Sequence, residues 1–239
     1  MSSQNVTEPD WNDLPTHIHD LERQGVVTRT FRRLDPERQE EVVNAILEEA
    51  AEKGPASLNI KQVAERAKAS IGSLYQYFGS REGLLRFAIS LVVRTVVGLF
   101  KLSRPYLVAM PLREALKAYL IEGVKWSKAQ MGLTRFFARA AYHGDPELAE
   151  SVVRPIATIM RETMHDILTQ AAVRGEIRAD VDLEATARVV NALMIALGDP
   201  QLLPYLNTYF QVTDKTMPPE RVLDAALGMI LRGIGTETR

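Results

Sequence analysis

Ile60-Lys61-Gln62-Val63-Ala64-Glu65-Arg66-Ala67, then Lys68-Ala69-Ser70, then Ile71-Gly72-Ser73-Leu74-Tyr75-Gln76-Tyr77-Phe78-Gly79 is the stretch that decides how this chain folds. In its first part Ile60, Val63, Ala64 and Ala67 share one helical face and Lys61, Gln62, Glu65 and Arg66 stay outside, with Ser57 or Asn59 placed as a cap. In its last part Leu74 and Phe78 stand at i and i+4, with Ile71 one turn earlier, so the three form a packing face. Ser70, Ser73, Gln76 and Tyr77 are then left to look outward, and Gly79 stops the helix. Two short helices joined by about three residues make a helix-turn-helix, whose second helix must offer short or flat polar side chains to the DNA major groove.

Upstream, Asp35-Pro36 reads as an N-cap and first helical residue, and Val42, Val43, Ile46, Leu47 and Ala50 continue as one apolar face up to Gly54-Pro55. Downstream, Ser80 caps a helix whose apolar positions run from Leu84 to Phe100, with Pro105 expected to close it. Further helices are expected over 112–130, 133–142, 146–174, 182–197 and 219–233, between glycine and proline breakers, with few strand signals. The fold class is therefore all-α. An N-terminal arm (1–33) precedes a three-helix DNA-binding domain of the helix-turn-helix type (34–82) and a linker helix (83–104). A larger helical ligand-binding and dimerisation bundle (105–239) follows. The arm is polar and aperiodic, with Trp11, Val26, Val27 and Phe31 able to dock. Its basic end, Arg29, Arg32 and Arg33, is either a minor-groove contact or a solvated linker.

A formal net charge of -1 conceals a basic island. Between Leu58 and Arg104 stand Lys61, Arg66, Lys68, Arg81, Arg86, Arg94, Lys101 and Arg104 against Glu65 and Glu82, the pattern expected of phosphate contact. The chain has no cysteine, which excludes disulfides, thiolate metal sites and cysteine nucleophiles, and a cytoplasmic location is the default expectation. No run approaches about 18 consecutive apolar residues, since Arg94, Lys117, Lys125 and Arg188 interrupt the candidates, so no membrane association is expected.

The stretch 60–78 together with Ser80-Arg81-Glu82-Gly83-Leu84-Leu85 resembles the DNA-binding signature of the TetR family of transcriptional regulators. Gly175-Glu176-Ile177-Arg178-Ala179-Asp180-Val181-Asp182 is similar to the turn before that family's penultimate, dimerising helix. The resemblance implies phosphate contacts from Tyr75 and Tyr77, with part of the Tyr75 ring in the core. It implies the same from Arg81, at the start of the following helix, and a backbone or base-edge contact from Lys61. Gln76 suits an adenine edge or a thymine methyl, and Ser73 a base or a phosphate. Ser70 and Gly72 complete the expected interface. A glycine within a helix costs about 1 kcal/mol relative to alanine, so Gly72 marks either a close backbone approach to DNA or a plain helix start.

The family resemblance also implies that the second half binds a small-molecule effector, that two chains associate, and that effector binding shifts the spacing of two DNA-binding heads on double-stranded operator DNA. Trp126, Phe136, Phe137, Tyr142, His143, Met160, Met164 and His165 are the candidate lining of a mainly apolar pocket, each of them equally able to serve as core. The apolar and small residues of 183–197, with Val222, Leu223, Ala226, Leu227, Ile230 and Leu231, suit a four-helix interface of a homodimer or burial within one subunit. No metal site or cofactor is expected, because His143 and His165 are not spaced as ligands. The expected function is a repressor released from a palindromic operator by a largely apolar ligand. Alternatives are a DNA-binding or activating dimer without an effector, and a helical enzyme, for which the chain offers no phosphate loop, nucleophile elbow or zinc-ligand motif.

Overall fold

The computed structural model describes residues 14–236, so Trp11 lies outside the described residues. Within them thirteen α-helices follow in chain order: α1 Leu14–Arg23, α2 Arg29–Arg32, α3 Pro36–Lys53, α4 Ile60–Arg66, α5 Ile71–Phe78, α6 Arg81–Ala109, α7 Leu112–Ala129, α8 Met131–Tyr142, α9 Pro146–Leu148, α10 Arg154–Val173, α11 Leu183–Leu202, α12 Pro204–Phe210 and α13 Pro219–Ile234. A π-turn, Ala149–Val153, joins α9 to α10. Among the described residues the nearest thing to sheet is one isolated bridge between Ile177 and Gly235.

The described residues divide into two compact units, one of 14–99 with 130–156 and the other of 100–129 with 157–236. This differs from the linear order read in the sequence, where everything after 104 formed one domain. The reason lies in α8. Its buried Leu133, Phe136, Ala138 and Ala140 belong to the first unit's core. Gly132 brings its backbone close to Leu47 of α3, where an added Cβ would stand 3.4 Å from the Leu47 side chain. Arg139 then donates to the carbonyls of Ala51 (2.9 Å) and Glu52 (3.1 Å), which the end of α3 leaves without helical partners.

The described part of the expected arm forms two helices, α1 and α2. Leu14, Ile18 and Leu21 of α1, with Val27 and Phe31, are buried in the first unit, and Arg94 of α6 holds Asp20 at 2.6 Å. Short-range periodicity was hidden there by Pro15, Gly25 and the polar residues between the anchors.

The second unit is built on Leu112, Leu116, Leu120, Met164, Leu168, Ala187, Val190, Met194, Leu223 and Leu227. Two expected proline stops are overrun. α6 passes Pro105 and reaches Ala109 because Leu107 is buried and Arg174 caps the end, donating to the carbonyls of Val108 (2.9 Å) and Met110 (2.7 Å). α11 passes Pro200, where Gly198 lies close to Leu120 (3.3 Å for an added Cβ) and the Gln201 side-chain Nε2 donates to the Leu197 carbonyl at 2.9 Å. α6 is also long and apolar enough to cross a membrane by length and composition, which counting uninterrupted apolar runs did not anticipate. Leu84, Phe87, Leu91 and Val92 of this helix are buried among the protein's own side chains.

Candidate nucleic-acid interface

The helix-turn-helix is α4 and α5. Asn59 caps α4, its side chain accepting from the Lys61 amide at 3.0 Å. The turn needs one residue in the left-handed region, and Lys68 takes it with φ 49°, while Arg38 of α3 donates to the Lys68 carbonyl at 3.1 Å. Ser70 caps α5 by accepting from the Ser73 amide at 2.9 Å, and the two serine hydroxyls are hydrogen-bonded at 2.8 Å. Gly79, at φ 77°, ends the helix, and its amide donates to the Tyr75 carbonyl at 2.8 Å.

α4 is held to α3 by charge. Glu49 is buried, and its carboxylate lies 3.3 Å from Arg66 Nε, with Glu52 at 2.6 Å and Glu48 at 3.6 Å completing the cluster. The hydrogen bond to Glu52, then the charges of Glu52, Glu49 and Glu48, raise the Arg66 pKa against the opposing effect of burial. α6 approaches α5 through Gly83, where a Cβ would stand 1.9 Å from the Phe78 carbonyl oxygen. Its amide donates to Ser80 Oγ at 3.0 Å, so Ser80 is the N-cap expected of it.

On the outer surface Lys61, Ser70, Gly72, Tyr75 and Gln76 are exposed and Ser73 is half-buried. Nothing but the Ser70 hydroxyl lies within 4 Å of a Cβ built at Gly72, so packing within the head does not require a glycine there. Tyr75 is 47% exposed, as an outward aromatic should be. Tyr77, expected to look outward, retains only 8% exposure. Its ring lies 5.5 Å from Phe31 and 6.1 Å from Phe78, measured between centroids. The extra apolar partner is Phe31, from the segment read as an arm, which is why the helix periodicity of α5 alone misplaced Tyr77. Arg81, expected at phosphate, donates through Nε to the Leu58 carbonyl at 2.7 Å and through a terminal nitrogen to the Ala56 carbonyl, so it ties the loop before α4 to the start of α6.

The basic island is smaller in space than in sequence. Arg66 faces three glutamates, Arg94 pairs with Asp20, and Arg104 pairs with Asp166 and Glu162. Lys61, Lys68, Arg86 and, in the second unit, Lys101 remain exposed, as do Arg29 and Arg33, whereas Arg32 is paired with Glu22.

The eight pocket candidates do not gather in one unit. Phe136, Phe137, Tyr142 and His143 belong to the first, with Phe136 wholly buried, Tyr142 and His143 exposed, and His143 Nε2 2.5 Å from Arg139. Trp126, Met160, Met164 and His165 belong to the second. There Met164 is core, His165 stands 3.8 Å from both Asp166 and Glu184, and Trp126 keeps a buried indole Nε1 without a hydrogen-bond partner. The sequence reading passed over Tyr119, whose hydroxyl donates to Asn191 Oδ1 at 3.4 Å and whose pKa is driven far up by burial and by the Asp199 charge. Among the described residues no three histidine or carboxylate side chains come together to hold a metal.

Family models match two stretches of the chain: bacterial regulatory proteins of the tetR family over residues 42–87, and the tetracyclin repressor-like C-terminal domain over residues 111–197. An HTH-type transcriptional repressor of Mycobacterium tuberculosis is 40% identical over 60 residues, which are 23% of this chain and 32% of that protein, so the match spans about a third of its length. A TetR family transcriptional regulator from Chloroflexus aurantiacus superposes with a TM-score of 0.59 at 20% identity, over 88% of this chain and 99% of that one. A transcriptional regulator FadR from Bacillus subtilis, solved with stearoyl-CoA, superposes with a TM-score of 0.61 at 18% identity, over 82% and 98%. With a helix-turn-helix of this geometry inside the first matched stretch, and the second beginning at the start of α7, the chain belongs to the TetR family of bacterial regulatory proteins.

Proposed function

We propose that this protein is a transcriptional repressor that binds a palindromic operator as a homodimer and releases it when a small, largely apolar ligand binds the second unit. The observation that carries the DNA-binding reading is the α5 surface. Ser73, Tyr75 and Gln76 project from a helix fixed by its serine cap, by Gly79 and by the contact at Gly83. Gln76 and Ser73 read base edges, while Lys61 and Tyr75 hold the phosphate backbone. Arg81 acts on the interface through the loop that it ties down.

Dimerisation is supported by apolar side chains on the outside of the last long helices, Val189 of α11 at 68% and Met229 of α13 at 67% exposure. An apolar effector is supported by the fatty acyl ligand named for the B. subtilis neighbour and by Trp126, whose buried indole N–H lacks an acceptor that a ligand could supply. Work on cytoplasmic DNA fits a cysteine-free chain.

The test is selection of bound fragments from random DNA by the purified protein at fixed salt, followed by titration of fatty acids and acyl-CoA thioesters against the recovered fragment. Enrichment of an inverted repeat and its release by an acyl ligand are expected. A protein that enriches no sequence, or a monomer on the recovered DNA, overturns the reading.

A further inference from the structure

Residues 14–33 precede the matched helix-turn-helix and touch its reading helix directly. The Thr28 hydroxyl donates to the carbonyl of Gln76 at 2.8 Å, and the Thr28 amide donates to the carbonyl of Tyr77 at 3.0 Å. Both acceptors belong to the last turn of α5, whose carbonyls have no partners within the helix. Gln76 is also the residue whose side chain is placed to read a base, so a single threonine grips the backbone of the reader.

Thr28 is itself immobilised. Three residues on, Phe31 is fully buried, with ring centroids 5.1 Å from Phe78 and 5.4 Å from Phe87. The carbonyls of Phe31 and Arg32 accept from the buried Gln39 amide of α3 at 3.3 and 2.9 Å. Arg32 is paired with Glu22 of α1, and Asp20 of α1 with Arg94 of α6. The segment is thus bolted to α3 and α6 on one side and hydrogen-bonded to α5 on the other.

We propose that Thr28 is a positioning residue for operator recognition: the N-terminal helix pair is a folded clamp that fixes the C-terminal turn of α5, and with it the angle at which Gln76 meets DNA. This rests on the operator-binding reading above. The clamp controls discrimination between sequences rather than attraction to phosphate, since the Thr28 contacts bear no charge.

The experiment compares full-length wild type, Thr28→Val and Thr28→Ser. Valine keeps the shape and the amide but removes the hydroxyl donor, and serine restores it. Two quantities are read: the affinity ratio of selected operator to random DNA at fixed salt, and amide hydrogen exchange over residues 74–79. In Thr28→Val the ratio is expected to fall about three- to tenfold, the range of one hydrogen bond, with random-DNA affinity and its salt slope unchanged, while exchange over 74–79 quickens. Thr28→Ser is expected to recover both. A folded Thr28→Val protein with an unchanged ratio overturns the positioning role, and so does an equal loss on operator and random DNA. If wild type prefers no sequence, the regulator reading fails by itself. The exchange measurement then decides the clamp, which unaltered exchange in Thr28→Val overturns.

Discussion

Gly83 is the tightest point in the DNA-binding head, because its missing Cβ is the space occupied by the Phe78 carbonyl. Gly83→Ala is expected to push α6 away from α5 and to cost at least about 3 kcal/mol in urea unfolding, at the upper end of overpacking penalties. Lys68 has the opposite sign. Its left-handed backbone costs a side-chain-bearing residue roughly 1–2 kcal/mol, and glycine returns part of that as extra freedom in the unfolded chain, so Lys68→Gly should stabilise by about 0.5 kcal/mol. Arg66→Ala strands the buried Glu49 carboxylate and is expected to lose about 3 kcal/mol. The sequence displayed the caps Asn59 and Ser80, the stop at Gly79 and the outward Gln76, since these follow from local spacing, while the capping role of Ser70 emerged only in the structure. It did not display that Arg66 and Arg81 are engaged within the head, because their partners, Glu49, Glu52 and the carbonyls of 56 and 58, come from separate turns of chain.

Helix boundaries were readable where a cap decides them and misread where tertiary contact overrides a breaker. Asp182 caps α11, accepting from the Ala185 amide at 3.0 Å, just outside the helix that the sequence reading began at 182. Pro105 and Pro200 failed as stops because other groups satisfy nearby carbonyls: Arg174, from a distant turn of chain, at the end of α6, and the neighbouring Gln201 side-chain amide at Leu197. Arg174→Ala should therefore fray α6 beyond Pro105 and lower the unfolding free energy by about 1–2 kcal/mol, with hydrogen exchange locating the loss at 106–110. The segment after α12 carries its own switch. Asp214 accepts from the Thr216 hydroxyl (2.8 Å) and from the amides of Thr216 and Met217, and these bonds hold its carboxyl below the ordinary aspartate value. A depressed carboxyl adds stability that is complete above the unfolded value of about 3.9 and is lost as pH falls through the lower folded value. The amides of 216 and 217 are expected to stay protected at neutral pH and open only in strong acid, and Asp214→Asn should abolish that dependence.

Across the whole molecule, charge is a weaker guide than it looked on paper. Arg66, Arg94 and Arg104 are balanced by acidic neighbours, so the attraction to DNA that we propose falls to the exposed Lys61, Lys68 and Arg86, with Arg29 and Arg33. Lys61→Ala is expected to reduce the slope of log affinity against log salt by roughly 0.9 for each phosphate that the lysine neutralises, whereas Arg94→Ala should leave it unaltered. The all-helical class and the head could be read early because both rest on local periodicity. The division into units could not, because the chain passes between them at 99–100, 129–130 and 156–157, and only packing reveals that α8 lines the core beside α3. That interleaving limits how such a protein can be recombined. A hybrid that joins residues 1–104 to a foreign sensor would leave the inner face of α3 bare and the carbonyls of Ala51 and Glu52 uncapped. A working graft would have to carry 130–156 along, stitched into the recipient as a second insertion, so this family member can exchange specificities only in two pieces at once.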